Sequence, residues 1–225
     1  MKSSVILIAV LFTILSCVHS SEKSNPVENT VAYPIGNDTI FNFEEETIGN
    51  LPAGFSATAT GKATSIKWSV VNEGGNKVVS QQANNEGSCY NLLVFDKNSY
   101  RNFKATVKIK AVSGKEDQGG GLVWRYIDKD NYYIARYNPL ENNFRFYRVV
   151  NGNRKQLKSV DAGIKSNEWF TMTIKMNGND ISCWLNGNKL IEISDDTFTS
   201  AGRIGFWTKA DAVTYFDDLE IFKNQ

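Results

Sequence analysis

Histidine is almost missing from this chain. The single one, His19, falls within the first twenty residues, which leaves the rest without an imidazole. A Ser-His-Asp or Cys-His nucleophile and a histidine-bearing zinc site are thereby excluded. An excess of one charge is lacking too: 25 basic residues meet 24 acidic ones, for a net charge of +1. A protein that grips nucleic acid or anionic lipid by its field shows a basic excess or stripe. None is present, and no nucleic-acid partner is expected. No glycine-rich phosphate loop opens a helix, because Gly119-Gly120-Gly121 instead precedes a strand-like run. There is no internal repeat and no long amphipathic segment.

Long apolar runs are scarce as well. The clearest one, Val5–Leu15, spans eleven residues, too few to cross a bilayer. With Lys2 before it and small or polar residues from Ser16, it has the order of a secretory signal. Two cleavage positions compete. Ile14-Leu15-Ser16-Cys17 resembles a lipobox, which would make Cys17 a lipidated first residue, and Val18-His19-Ser20 fits ordinary cleavage. The lipobox is preferred. Residues 1–20 are then the signal, 21–34 a polar linker and 35–225 the folded domain. The reading predicts export to the periplasm or cell surface, with a lipid anchor in the outer membrane as the only membrane contact. Cys89 and Cys183 remain. A single disulfide and two buried free thiols are both compatible with their strand-like surroundings.

What the sequence does have is period-two alternation. In Phe103–Lys110, Phe103, Ala105, Val107 and Ile109 face one way and Lys104, Thr106, Lys108 and Lys110 the other, a strand with one wet face. Ile40–Phe43, Trp68–Val71, Lys77–Ser80, Gly121–Tyr126, Tyr132–Tyr137, Phe144–Val150, Trp169–Met176, Ile181–Leu185, Arg203–Lys209 and Thr214–Phe222 read the same way. Turn chemistry punctuates them: Asp128–Asn131, and the Asn-Gly pairs at 151, 177 and 186. Roughly twelve short strands are too many for one open sheet. The fold class expected is therefore all-β, a two-sheet antiparallel jelly-roll sandwich.

Two side-chain constellations carry candidate chemistry. The acidic segments Glu44-Glu45-Glu46 and Asp217-Asp218-Leu219-Glu220 lie near opposite ends of the chain, where first and last strands commonly pair. Glu44, Asp217 and Asp218, with carbonyls of the Gly49–Pro52 turn, would make an all-oxygen site for a structural Ca²⁺. The competing role for Asp217 is to accept backbone N–H bonds at a bulge. No Glu-x-Asp-x-x-Glu strand of a retaining glycosidase is present. The second constellation is aromatic and basic, running from Trp124 to Arg148 and on to Trp207 and Lys209. Aromatic faces with Arg or Lys donors suit sugar rings and hydroxyls. Pairing Arg125 opposite Tyr133 would place Val123, Ala135 and Tyr137 on the same face, and a one-residue slip would change that set.

The run Gly121-Leu122-Val123-Trp124-Arg125-Tyr126-Ile127-Asp128-Lys129-Asp130-Asn131-Tyr132-Tyr133 resembles concanavalin A-like (laminin G-like) domains of exported bacterial proteins, including the 3-keto-disaccharide hydrolase type. Tyr147–Gly152, Trp169, Trp184–Gly187, Gly202–Lys209 and Phe216–Leu219 extend the similarity across residues 40 to 222. The resemblance implies a twisted sandwich whose concave face holds carbohydrate. Arg125, Tyr133, Arg136, Arg148, Trp207 and Lys209 are the saccharide contacts expected. The leading expectation is an exported carbohydrate-binding domain that captures glycan for degradation or uptake. A glycoside hydrolase of the 3-keto-disaccharide type, acting through carboxylates, and a structural or adhesion module are the alternatives.

Overall fold

Alternation and turn chemistry translate directly into strands. The computed structural model describes residues 37–224; the expected signal with Cys17 and the linker of residues 21–34 lie outside them. In chain order the strands begin with β1 (Thr39–Phe41), β2 (Phe55–Thr60), β3 (Trp68–Glu73), β4 (Asn76–Gln81) and β5 (Tyr90–Phe95). The middle of the chain supplies β6 (Phe103–Ser113), β7 (Gly120–Asp128), β8 (Asn131–Asn138), β9 (Asn143–Val150) and β10 (Asn153–Asp161). It ends with β11 (Trp169–Asn177), β12 (Asp180–Leu185), β13 (Asn188–Ser194), β14 (Arg203–Lys209) and β15 (Val213–Lys223).

These form two antiparallel sheets. The eight-stranded sheet runs β13-β12-β11-β6-β15-β4-β3, with β1 also paired to β15. The seven-stranded sheet runs β10-β9-β8-β7-β14-β5-β2. First and last strands pair as expected, Thr39 opposite Ile221 and Phe41 opposite Leu219. Two of the Asn-Gly turns have positive φ at both central residues, Asn151 with Gly152 and Asn186 with Gly187, as a type I′ hairpin requires. The third hairpin pairs Asn177 with Asp180, so Gly178, at φ 60, becomes the first of its two central residues.

The alternating residues meet between the sheets. Phe103, Ala105, Val107 and Ile109 of β6 and Phe170, Met172, Ile174 and Met176 of β11 face Leu122, Trp124, Tyr133, Phe146 and Phe206 of the other sheet, all buried. Each such large side chain contributes about 1.5–3 kcal/mol by leaving water. Cys183 lies in this core and Cys89 is buried beside β5, and both are free thiols. The disulfide alternative is thus closed.

β5 differs from the alternating strands in that all six of its residues are buried. Leu93 and Phe95 belong to the inter-sheet core, and Tyr90, Leu92 and Val94 to a second cluster on the far side of the seven-stranded sheet. That second cluster frames the candidate site.

Candidate functional site

A sheet face that stays apolar must be covered, and here the sheet covers its own. Tyr90, Leu92, Val94, Val123, Tyr126, Tyr132, Ile134, Tyr147, Val149 and Trp207 form one buried cluster. Closure comes from the tips of two hairpins. At Arg125, φ is 49, and the β7–β8 register breaks between Trp124 and Asp128. Such a bulge bends a strand. The β7–β8 tip then meets the end of edge strand β2, where the Thr60 hydroxyl donates to the Lys129 carbonyl and lies 2.7 Å from the Tyr132 hydroxyl. The β9–β10 tip follows, with the Gly152 amide donating to the Asp130 carbonyl at 2.9 Å.

Arg154, near that second tip, lies over the aromatic floor. Its guanidinium carbon sits 4.5 Å from the Tyr147 ring centre, 4.8 Å from Tyr90 and 5.7 Å from Trp207. Three ring faces around one cation are a favourable electrostatic arrangement. Arg154 Nη1 is nevertheless buried with no hydrogen-bond partner. The same holds for Arg136 Nε, on a residue only 2% exposed.

Sheet register gathers the charged groups beside this floor. Trp207 pairs with Gly121, Gly121 with Arg136, and Arg136 with Arg145. Two residues along the strands, on the same face, Lys209 pairs with Tyr90, and Asn138 with Asn143. Arg136 Nη2 donates to Glu141 Oε2 at 2.6 Å and to the Tyr147 hydroxyl at 3.2 Å, and its Nη1 reaches Asn143 Oδ1 at 2.6 Å. Arg145 Nη1 meets the same Glu141 oxygen at 3.0 Å. Lys209 Nζ stands 3.1 Å from Asp117 Oδ2, whose other oxygen accepts from Asn138 Nδ2 at 3.1 Å.

A neighbouring carboxylate holds the loop that carries Asp117. Asp211 accepts the amides of Lys115 at 2.6 Å, Glu116 at 3.1 Å and Asp117 at 2.9 Å. The two carboxyls of the cluster are tuned in opposite directions. Burial raises Asp117 above its ordinary 3.8, and the charges of Lys209 and Arg136 only partly offset this. Burial also pushes Glu141 upward, but hydrogen bonding and charge from Arg136, helped by Asn143 and Arg145, win and hold it below 4.5. Two carboxyls of one network whose pKa values are pushed apart are a recurring feature of acid–base sites.

Of the six saccharide contacts expected from sequence, Arg136, Trp207 and Lys209 come together here. The other three do not. Tyr133 pairs with Trp124, not with Arg125, because the bulge takes Arg125 out of the ladder. Arg125 is 1% exposed and donates to the carbonyls of Ser200, Arg101 and Gly178, and burial lowers its pKa to about 10. Tyr133 belongs to the inter-sheet core, its hydroxyl 2.5 Å from Asp195 Oδ1. Arg148, paired with Tyr133, turns to Asp195 and Thr197. Asp117, Asn138, Glu141 and Arg154 were not singled out by the sequence reading. The signal available for Glu141 was its position in a tight connection between strands bearing Arg136 and Arg145.

The expected metal set does not converge. Asp217 accepts from Asn76 Nδ2 and from the Asp218 amide, both at 2.8 Å, at a bulge where Asp218 has φ 47. Asp218 pairs with Lys108 at 2.7 Å. Glu44 accepts the Lys77 amide at 3.1 Å. Among the described residues no group of three or more His, Cys, Asp or Glu side chains is arranged to hold a metal ion. The backbone-accepting role for Asp217 is the one observed.

Residues 40–222 match the family profile of the 3-keto-alpha-glucoside-1,2-lyase-like domain. No curated protein matches the sequence. Among solved structures, the carbohydrate-binding module CBM66 from Bacillus subtilis superposes with a TM-score of 0.64 at 18% identity, covering 76% of this chain and 96% of its own. A Bacillus licheniformis beta-glucanase gives 0.59 at 12% identity, covering 84% and 99%. A Bacteroides ovatus GH16 protein, solved with a glucan product, gives 0.60 at 10%, covering 82% and 99%. At these identities the likeness establishes the jelly-roll fold.

Proposed function

We propose that this chain, which belongs to the 3-keto-alpha-glucoside-1,2-lyase-like domain family, is an exported domain that binds a saccharide at the charged end of the cupped seven-stranded sheet. The observation that carries this reading is three buried, unsatisfied donors on one face, Arg136 Nε, Arg154 Nη1 and Trp207 Nε1. Buried polar groups are normally bonded, so these orphaned donors mark an unmet partner at the end of the sheet where Glu141 and Arg145 reach solvent. Asp117, Glu141, Asn138 and Asn143 add acceptors and amides within the same network. Carbohydrate-binding and glycan-processing proteins share this fold, which supports the reading without assigning the ligand.

Glycan-array binding followed by calorimetry tests it. A saccharide bound by the native chain should lose at least tenfold in affinity in Arg145→Gln, which removes a charged donor that is partly exposed. No saturable saccharide binding, or an Arg145→Gln variant that binds like the native chain, would refute it.

The opposed tuning of Asp117 and Glu141 supports a second reading, eliminative cleavage of a 3-keto-α-glucoside. In that reaction a base takes the C2 proton, which the C3 carbonyl acidifies. The C2 electron pair forms the C1=C2 double bond, the C1–O bond breaks, and the leaving alkoxide takes a proton. This reading assigns the first proton transfer to Glu141 and the second to Asp117, the two carboxyls of the network. Formation of an ultraviolet-absorbing unsaturated ketone from a 3-keto-α-glucoside, lost in both Glu141→Gln and Asp117→Asn, would establish turnover. Binding of the keto-sugar with no product would leave recognition alone.

A further inference from the structure

We infer that a cleft on the opposite side of β9, beside Arg148 and Lys155, is a second ligand site shaped for the carboxylate of an acidic monosaccharide, a hexuronate. The sheet register places the charges. Tyr133, Arg148 and Lys155 occupy one transverse row across β8, β9 and β10. Their neighbours Tyr147 and Val149 point the other way, into the cupped face. Two cations directly opposite on adjacent strands repel one another, and the surroundings compensate only one of them.

That compensation is Asp195. Its Oδ1 accepts the Tyr133 hydroxyl at 2.5 Å and the Thr197 amide at 2.9 Å, and its Oδ2 lies 3.0 Å from Arg148 Nη1. The same Nη1 also reaches Thr197 Oγ1 at 2.7 Å. Arg148 is thus fixed through a single nitrogen. Its Nε and Nη2 have no acceptor among the described residues, and they form the planar edge that grips a carboxylate in two parallel bonds. Lys155 has no ion-pair partner among the described residues.

Between these groups lies a cleft of about 380 Å³ lined by Arg148, Val150, Asn153, Lys155 and Thr197, a volume suited to one sugar ring. A hexuronate would set its carboxylate between Arg148 and Lys155, its hydroxyls toward the Asn153 amide and a C–H face against Val150. A neutral sugar would leave Lys155 without a counter-charge and the Nε/Nη2 edge of Arg148 without a carboxylate to grip. The site shares no residue with the cupped-face cluster, so it stands whether or not that cluster binds saccharide.

Calorimetry on the full chain with glucuronate and galacturonate, alongside glucose and inorganic sulfate, tests the inference. Expected is saturable uronate binding that weakens as salt rises, falls at least tenfold in Lys155→Glu, and is unchanged in Lys175→Glu, a charge-matched change on the other sheet. Lys155 is exposed, so its substitution should leave folding intact, and an unchanged thermal midpoint will confirm that. No saturable uronate binding, equal binding of glucose, equally tight binding of sulfate, or insensitivity to Lys155→Glu would each overturn it.

Discussion

Trp207 and Arg136 stand in one transverse row of the seven-stranded sheet with only Gly121 between them. A side chain there has no room: a Cβ on Gly121 would fall 1.8 Å from the Ala135 carbonyl oxygen and 2.8 Å from the Arg136 Cα. Both are backbone atoms and cannot rotate away. Gly121→Ala should therefore cost about 2–3 kcal/mol or more, read as a shift in the urea midpoint. Gly163→Ala, where a Cβ meets nothing within 4 Å, should stay within about 0.5 kcal/mol of the native chain. Equal stability for the two variants would contradict the close approach.

Arg154 should behave as part of the aromatic floor it covers. Removing the guanidinium in Arg154→Ala uncovers Tyr90, Tyr147 and Trp207 and should cost about 1–2 kcal/mol of stability. Tryptophan emission should shift to longer wavelength as water reaches Trp207, and the shift should vanish when Trp207→Phe is added. A variant with native emission would mean that Arg154 does not shield the ring.

The two buried thiols predict insensitivity to reductant. A disulfide would stabilise the chain by about 2–4 kcal/mol, so dithiothreitol would lower the midpoint if Cys89 and Cys183 were joined. They are separate, and the midpoint should not move. Burial also raises both thiols above 9.0. A thiol reagent should therefore label Cys89 and Cys183 only after unfolding.

How much of this was legible beforehand depended on whether one face of a strand is wet. β6, β11 and β12 each set a core face against a polar face, so their alternation shows in the residues. β5, Tyr-Asn-Leu-Leu-Val-Phe, is buried between two cores and shows no alternation, and β2, Phe-Ser-Ala-Thr-Ala-Thr, is too small-residued to stand out. Both escaped the reading. Two of the three Asn-Gly pairs, at 151 and 186, sit at the centre of their hairpins because type I′ geometry requires residues that tolerate positive φ. The bulge at Arg125 carried no comparable signature, and it removed Arg125 from the ladder and with it the Arg125–Tyr133 pair. Asp117, Glu141 and Arg154 come from a loop, a tight connection and an edge strand. Only sheet curvature and cross-strand register bring them together, and neither is encoded in local spacing.

Asp117 offers the sharpest test of the charged cluster, because its ionisation and that of Glu141 pull stability in opposite directions with pH. Asp117 is 4% exposed, and burial raises its folded pKa above 3.8, so the native state holds that proton more tightly than the unfolded chain. Protonation therefore favours folding, and this contribution is lost as pH rises from 3.8 through the raised folded value. Glu141, held below 4.5, contributes stability that is present above 4.5 and disappears as pH falls through its lowered value. A carboxyl-detected NMR titration should accordingly place Asp117 above 3.8 and Glu141 below 4.5. Lys209→Met should move Asp117 higher still, since the ammonium that partly offsets its burial is gone. In Asp117→Asn the decline of stability with rising pH should flatten while the acid-side loss from Glu141 persists. An Asp117 midpoint at or below 3.8 would mean that burial does not outweigh the neighbouring Lys209 and Arg136 charges.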